Sequence, residues 1–459
     1  MPFQILKFGG TSMGSPESLQ NVANILTQKL EKRSPIKLGM TTTKNEKSFD
    51  NRLIVVVSAM SGVTDQLLNL AKSAKEKTFK IEDYQVIVDK HFQALENFEI
   101  DPKLTALKPL FDELLEALTY KTLIEETATL AYHDLLASFG ERLSANLLTA
   151  VLHKLNLETE FVDARDFLVT DENFTNAGLN WSQSQTNWNQ IQTNFKSQIL
   201  VATGFIARSN NGATTTLGRG GSDFTAGVMA NLTDSKIVEI WTDVDGILST
   251  DPRIVPKTKL VEKISYREAF EVAYYGGKVL YPKTIEAAMP KDITILIKNT
   301  FHPEHPGTSI NPDQTAGLKV VSLAKKITLV EVVFAAITSE VGLLGKIFTE
   351  FSKENLSVDV VTTSGDSVSF SCNKMPSKKL ISSIEESIGP VTVWENQEIV
   401  AAIGAQLNEQ TIYPKILEIM SQVKPKMLSM NTKNTNLTAV VDTGQGIDLI
   451  QKIHSLIVY

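Results

Sequence analysis

One cysteine, Cys372, in 459 residues leaves no intrachain disulfide framework; it suits a reducing compartment and reads as a small apolar strand residue. No apolar run reaches the ~20 residues a bilayer span requires. Met1–Phe8 leads into a strand without the charged-then-apolar pattern of a secretory leader, so the expectation is a soluble, cytoplasmic protein. Positive charge is also short: 45 Lys and Arg against 52 Asp and Glu give a net charge of -7, and no basic face is left for nucleic acid. His302 and His305 have no cysteine or third histidine beside them and read as loop residues, not as a metal site. The Walker A pattern is missing as well. What remains is an ordinary globular composition, 42% hydrophobic and 21% charged, in a chain long enough for about three domains.

Against these absences stands Thr214–Asp223, T-T-T-L-G-R-G-G-S-D. Such a stretch brings almost no apolar surface to a core, but it can bind an anion. Glycines let the backbone approach a ligand and take φ > 0, so that successive N–H groups converge on phosphate or carboxylate oxygens. Arg219 offers a planar fork matched to a carboxylate, and Asp223 can orient a lysine or a metal. Because S-D opens an apolar helix from Phe224 to Leu232, the stretch reads as a binding loop and not as a flexible surface turn.

The arrangement recurs along the chain. Phe3–Phe8 is an apolar strand running into Gly9-Gly10-Thr11-Ser12, and Ser15 or Ser18 starts an amphipathic helix to about Lys32. Strand, glycine turn and helix place amides and hydroxyls where a helix N-terminus adds positive potential. Lys7, just before the glycines, reads either as an edge-strand lysine or as a cation aimed at a transferring phosphate. Residues 34–51 read as a polar inserted loop, and Leu53–Val57 is a buried strand ending in hydroxyls and a glycine, Ser58 to Thr64. The stretch from Thr64 to about Leu155 is helical by period; within it Glu141, which follows Gly140, reads either as a carboxylate at a helix N-terminus or as a site residue. Lys236–Trp241 is a strand ending in T-D-V-D-G and followed by S-T-D-P-R, a turn suited to ribose and phosphates. Gly276-Gly277-Lys278 adds another glycine-flanked cation. Lys7, Arg219 and Lys278 together, in a chain of net negative charge, point to a phosphate-rich ligand at the carboxyl edge of an α/β sheet.

Beyond a proline-containing linker at 300–314 the glycine-flanked cations stop. The pattern becomes β-α-β-β-α twice, about 65 residues each time, which is a pair of small ferredoxin-like modules. Their open edges suit pairing between copies and between subunits, and a regulatory or assembly role.

Lys7–Ser12, Thr214–Asp223, Trp241–Gly246 and Gly277–Leu280, in this order, resemble the signature set of aspartate kinases, and the tail resembles their tandem ACT domains. The resemblance runs essentially end to end. It implies an αβα sandwich amino acid kinase domain with a mostly parallel sheet at 1–300 and a linker at 301–326. Two ferredoxin-like (βαββαβ) ACT domains follow at 327–396 and 397–459, the second able to recruit a strand from 317–325. The implied activity is ATP-dependent phosphorylation of the β-carboxylate of L-aspartate, the first step toward lysine, threonine and methionine. The implied cofactors are ATP with Mg²⁺, with no metal ligands from the protein itself. A monofunctional chain is implied, forming a homodimer or a dimer of dimers through the ACT domains. Carried over by motif, Lys7, Gly10, Asp223 and Lys278 surround the transferring phosphate. Ser58, Thr64, Glu141, Thr216, Arg219 and Ser222 hold aspartate, with Arg219 on the α-carboxylate and Glu141 facing the ammonium. Lys7, Gly9, Gly10, Thr242, Asp243, Arg253 and Lys278 hold ATP. Ser357, Val358, Asp359, Thr363 and Ser364 match the lysine-sensing pattern, while Gly365 stands where glutamate is common; lysine, threonine, both or neither remain open as effector.

The residues fit that chemistry. A β-carboxylate is already ionised near pH 7, so the reaction needs positioning and positive charge but no general base, which explains lysines and glycine amides with no histidine among them. Two readings stand beside it: a kinase of glutamate or N-acetylglutamate, and a non-catalytic amino-acid sensor. An acetylated substrate would leave Glu141 without a cation, and a pure sensor would have no need of Lys7, Asp223 and Lys278.

Overall fold

Leu53–Val57 carries no polar position on either face, the pattern of a strand covered from both sides. A computed structural model of the chain describes residues 3–31, 52–119, 129–277, 279–334, 342–354, 356–409 and 411–457, and shows this strand inside a parallel sheet. The insert at 34–51 lies outside the described residues. The chain divides into two units: Met1–Gly246 with Val279–Pro312, and Ile247–Lys278 with Asp313–Tyr459.

The first unit is built in chain order from β1 (Gln4–Phe8), α1 (Pro16–Glu31), β2 (Leu53–Val57), four helices α2 (Val63–Lys75), α3 (Ile81–Asn97), α4 (Leu107–Thr119) and α5 (Thr129–Lys154), and β3 (Thr159–Val162). There follow β4 (Val169–Thr170), α6 (Trp181–Ile191), β5 (Ile199–Thr203), β6 (Ile206–Ser209), β7 (Thr214–Thr216), α7 (Gly221–Leu232) and β8 (Ile237–Thr242). In the second unit come β9 (Lys263–Ser265) and α8 (Tyr266–Tyr274), after which α9 (Pro282–Ala288), β10 (Thr294–Asn299) and β11 (Thr308–Asn311) complete the first. Its main sheet has the order β3-β5-β2-β1-β8-β10-β11, parallel except for β11. Side chains alternate across the strands. Leu6 and Phe8 of β1, with Leu53, Val55 and Val57 of β2, join the core formed with α1 to α5. Lys7 points to the other face, where it meets Asp223 of α7. Helices thus cover both faces, as the αβα sandwich requires. Lys7 lies on a central strand between β2 and β8, so the edge-strand reading fails.

The second unit holds β12 (Gly317–Val333), α10 (Leu343–Lys353), β13 (Val358–Thr363), β14 (Ser367–Cys372), α11 (Lys378–Ser387), β15 (Val391–Ala405), α12 (Tyr413–Ser421), β16 (Met427–Met430), β17 (Asn436–Val441) and α13 (Gly446–His454). They form one antiparallel sheet of order β13-β14-β12-β15-β17-β16 with two separate cores, one under α10 and α11 and one under α12 and α13. The two ferredoxin-like modules are interleaved: β12 and β15 each run through both. Lys326 (φ 62°) and Asn396 (φ 56°) take left-handed backbone where the register slips between Ala324 and Ile327, so a bulge replaces the break that the sequence reading places between modules. Gly317–Ala324 supplies the second module's extra strand, and 308–311 is the strand β11, where the sequence reading has a linker. The segment Ile247–Lys278 groups with this unit, whereas the sequence reading keeps it in the kinase domain. There Glu268 of α8 is capped by Ser265 and paired with Lys319 at 2.8 Å.

Candidate active site

In the first unit the strand order reverses at β1: β2 lies on one side, β8 on the other. The turns after these strands therefore open at a switch point, the usual place for a ligand on such a sheet. A cleft of about 670 Å³ lies there. Lys7, Gly10, Ser58, Thr64, Glu141, Thr216, Arg219, Ser222 and Asp223, scattered over 217 positions of sequence, all line it.

Each is placed by a local reason. Lys7 is 8% exposed, and its Nζ stands 2.6 Å from Asp223 Oδ1 in the first turn of α7. The carboxylate thus fixes a nearly buried ammonium at the mouth of the glycine turn. Gly220 caps α7 at φ 70°, and a Cβ there would stand 2.4 Å from Tyr281 Cβ, so both backbone and space demand glycine. The result is a helix N-terminus, with its free amides, in the cleft wall. Arg219 beside it is exposed, and no ion pair to it occurs among the described residues, so the guanidinium is available to a ligand.

Glu141 is not at a helix N-terminus. It lies inside α5, which runs unbroken through Gly140; a Cβ on Gly140 would come within 2.8 Å of Ala59 Cβ, so the glycine is there to let the turn after β2 pack closely. Across this contact Ala59 N–H donates to Glu141 Oε1 at 3.1 Å. Oε2 is buried with no partner. Burial pushes the Glu141 carboxyl up to about 8, against the opposing pull of the Ala59 amide and of Lys7. A carboxylate with one oxygen held and the other unpaired in a cleft is arranged to receive a cation.

Thr242 and Asp243 follow β8, next to the glycine turn but not among the residues lining the cleft. Gly9 N–H donates to Trp241 O at 3.1 Å, and Asp243 accepts from Thr242 Oγ1 at 3.1 Å and Thr11 Oγ1 at 3.5 Å. Arg253 belongs to the second unit, where its exposed guanidinium binds Asp251 at 2.6 Å. Lys278 lies outside the described residues. Among the described residues no group of three or more His, Cys, Asp or Glu is placed to hold a metal. No described helix is long and apolar enough to cross a membrane.

Two residues escape the sequence reading, one lining the cleft and one behind it. His133 lines the cleft, so a histidine does stand among the lysine and glycine amides. Asp134, fully buried, accepts from the backbone and side chain of Thr216. The signal is a polar stripe at i, i+4, i+7 (Asp134, Ser138 and Glu141) on a helix face that packs into a core, where solvated residues do not belong.

The similarities found for the chain fall on this geometry. It is 28% identical to aspartokinase 2, chloroplastic, of Arabidopsis thaliana, over 98% of this chain and 83% of that protein. It is 29% identical to lysine-sensitive aspartokinase 3 of Escherichia coli, over 98% of each. The structure of E. coli aspartokinase III in complex with aspartate and ADP superimposes with a TM-score of 0.82 at 25% identity, covering 99% of both chains. The model of the amino acid kinase family matches residues 2–299, a span that contains every side chain of the cleft, and the chain belongs to that family.

Proposed function

We propose that the chain is an aspartate kinase, which transfers the γ-phosphoryl group of ATP to the β-carboxylate of L-aspartate. The observation that carries the reading is one cleft holding the Lys7–Asp223 pair, the open Arg219 fork and the unpartnered Glu141 oxygen. An amino acid with two carboxylates and a free ammonium matches that set: Arg219 takes the α-carboxylate, Glu141 the ammonium, and Ser58, Thr64, Thr216 and Ser222 the remaining polar contacts. The β-carboxylate then faces Lys7 and the glycine turn. Its oxygen attacks the γ-phosphorus while the bond to the β,γ-bridging oxygen breaks, and ADP leaves. Lys7, held by Asp223, sits against the equatorial oxygens where negative charge accumulates, and the α7 amides add to it. The nucleophile is ionised already, so His133 has no proton to remove.

ATP lies over Gly9 and Gly10 toward Thr242 and Asp243; the motif likeness also assigns Arg253 and Lys278 to ATP. Mg²⁺ brought in with ATP would neutralise charge on the phosphate oxygens. In the second unit Ser357, Val358, Asp359, Thr363 and Ser364 form the candidate effector site. Asp359 there accepts from Tyr274 Oη at 2.8 Å, a carboxylate able to exchange that partner for an amino-acid cation. Lysine is the proposed effector, by likeness to the lysine-sensitive relative. A homodimer or dimer of dimers through this sheet is part of the same reading.

A hydroxamate assay with ATP, Mg²⁺ and L-aspartate, with L-glutamate and N-acetylglutamate as controls, tests the reading. Aspartyl hydroxamate from aspartate alone, suppressed by added lysine, is expected. No product from aspartate would refute the kinase assignment, and activity indifferent to lysine would remove the effector.

A further inference from the structure

Asp134 lies on α5 two turns before Glu141, fully buried, and spends its two oxygens differently. Oδ2 accepts the N–H groups of Thr175 and Thr216, each at 2.8 Å. Oδ1 accepts the Thr216 hydroxyl, also at 2.8 Å. His133 Nδ1, at 3.6 Å from Oδ1, is outside hydrogen-bond range. A carboxylate offers no donor, so the single hydroxyl proton of Thr216 is committed to Asp134. Only lone pairs remain for the cleft that Thr216 lines. The same cleft holds the buried, unpartnered Glu141 Oε2. With Glu141 ionised, these are two acceptors without a donor, and they suit a primary ammonium, which has three N–H groups and no acceptor.

We infer that Asp134 is a positioning residue that selects substrates bearing a free ammonium, by holding the Thr216 hydroxyl as an acceptor toward the cleft. The inference rests on the aspartate kinase reading and specifies how its amino-acid end discriminates.

The bonding pattern supplies a clean perturbation. In Asp134→Asn the amide oxygen takes the place of Oδ2, because two backbone N–H groups need it there. The NH₂ then faces Thr216 Oγ1, which must accept and turn its own proton elsewhere. The backbone stays pinned while one acceptor becomes a donor. Titration calorimetry on the full chain, with L-aspartate and with succinate, which is aspartate without its ammonium, reads the change without requiring turnover. Wild type should prefer aspartate. Asp134→Asn should weaken aspartate about tenfold or more, the loss of one hydrogen bond to a charged group, and leave succinate within twofold. Thr216→Val should show the same selective loss, and adding Asp134→Asn to it should change little further. Equal weakening of both ligands would mean a merely structural carboxylate. Unchanged aspartate affinity, or a wild type that does not distinguish the two ligands, would equally overturn the inference. Failure of the kinase reading would show separately, as missing aspartyl hydroxamate.

Discussion

The Glu141 carboxyl makes aspartate binding a proton-release reaction. Burial raises it from 4.5 to about 8, so near pH 7 in the free protein only about a tenth of the molecules carry the charge that an ammonium needs. In the complex the ammonium stabilises the ionised form. KM for aspartate should therefore fall by about fiftyfold between pH 6 and pH 8, following the ionised fraction, while kcat and the KM for ATP stay nearly flat. Glu141→Gln has no proton to lose. Its KM for aspartate should be at least about tenfold higher than wild type at pH 8 and should not change with pH. Steady-state hydroxamate kinetics at four or five pH values decide the matter. A flat wild-type KM, or a Gln variant that keeps the slope, would refute the assignment of Glu141 to the ammonium. Stability gives a second readout of opposite sign. A carboxyl raised from 4.5 to about 8 costs the folded state progressively as pH rises through that window. Glu141→Gln should therefore stabilise the ligand-free protein by up to about 3 kcal/mol at pH 7 while impairing binding.

Lys7→Ala should lower kcat by about a hundredfold or more and shift either KM only a few-fold, because the ammonium opposes charge that develops in the transition state; an effect on KM alone would make Lys7 a binding residue. Gly220→Ala forces a Cβ at φ 70° to within 2.4 Å of Tyr281 and should reduce kcat/KM by at least about tenfold. Gly62→Ala, at φ 79° with no atom within 4 Å, should cost only about 1–2 kcal/mol of stability; equal losses in kcat/KM from the two variants would show that the Tyr281 contact is irrelevant. His91, buried against Phe111 with Nε2 unpartnered, is lowered by burial from 6.5 to about 4. Its contribution is whole above pH 6.5 and lost as pH falls toward 4, so urea unfolding should show about 2 kcal/mol less stability at pH 5 than at pH 7, and His91→Leu should remove that part of the difference.

What the sequence discloses here and what it hides follow from how each feature is encoded. The cleft-lining turns are legible because their composition has no other use: glycines, hydroxyls and a cation at the end of an apolar strand fill no core. Parallel strands bring such turns to one edge even when they lie far apart in sequence. Asp134 is not legible in this way. A lone aspartate in a long helix looks like a solvated residue, and only its period with Ser138 and Glu141 marks it as buried. The module boundary is hidden by the opposite effect. Lys325-Lys326 and Glu395-Asn396 look like polar breaks between strands, yet one left-handed residue in each lets β12 and β15 pass through both modules. The segment 247–278 is harder still, since its ties to the second unit are single contacts at long range. Ser249 meets His454 at 2.8 Å, Glu268 meets Lys319, and Tyr274 meets Asp359. Arg253, assigned to ATP by motif, sits in a segment that folds with the regulatory sheet, and Tyr274 of that same segment holds the carboxylate proposed to bind the effector. An amino-acid cation that draws Asp359 away from Tyr274 therefore perturbs α8 directly. Feedback should then act through this segment: with rising effector, steady-state kinetics should show the KM for ATP increasing before that for aspartate, whose proposed contacts all lie in the first unit.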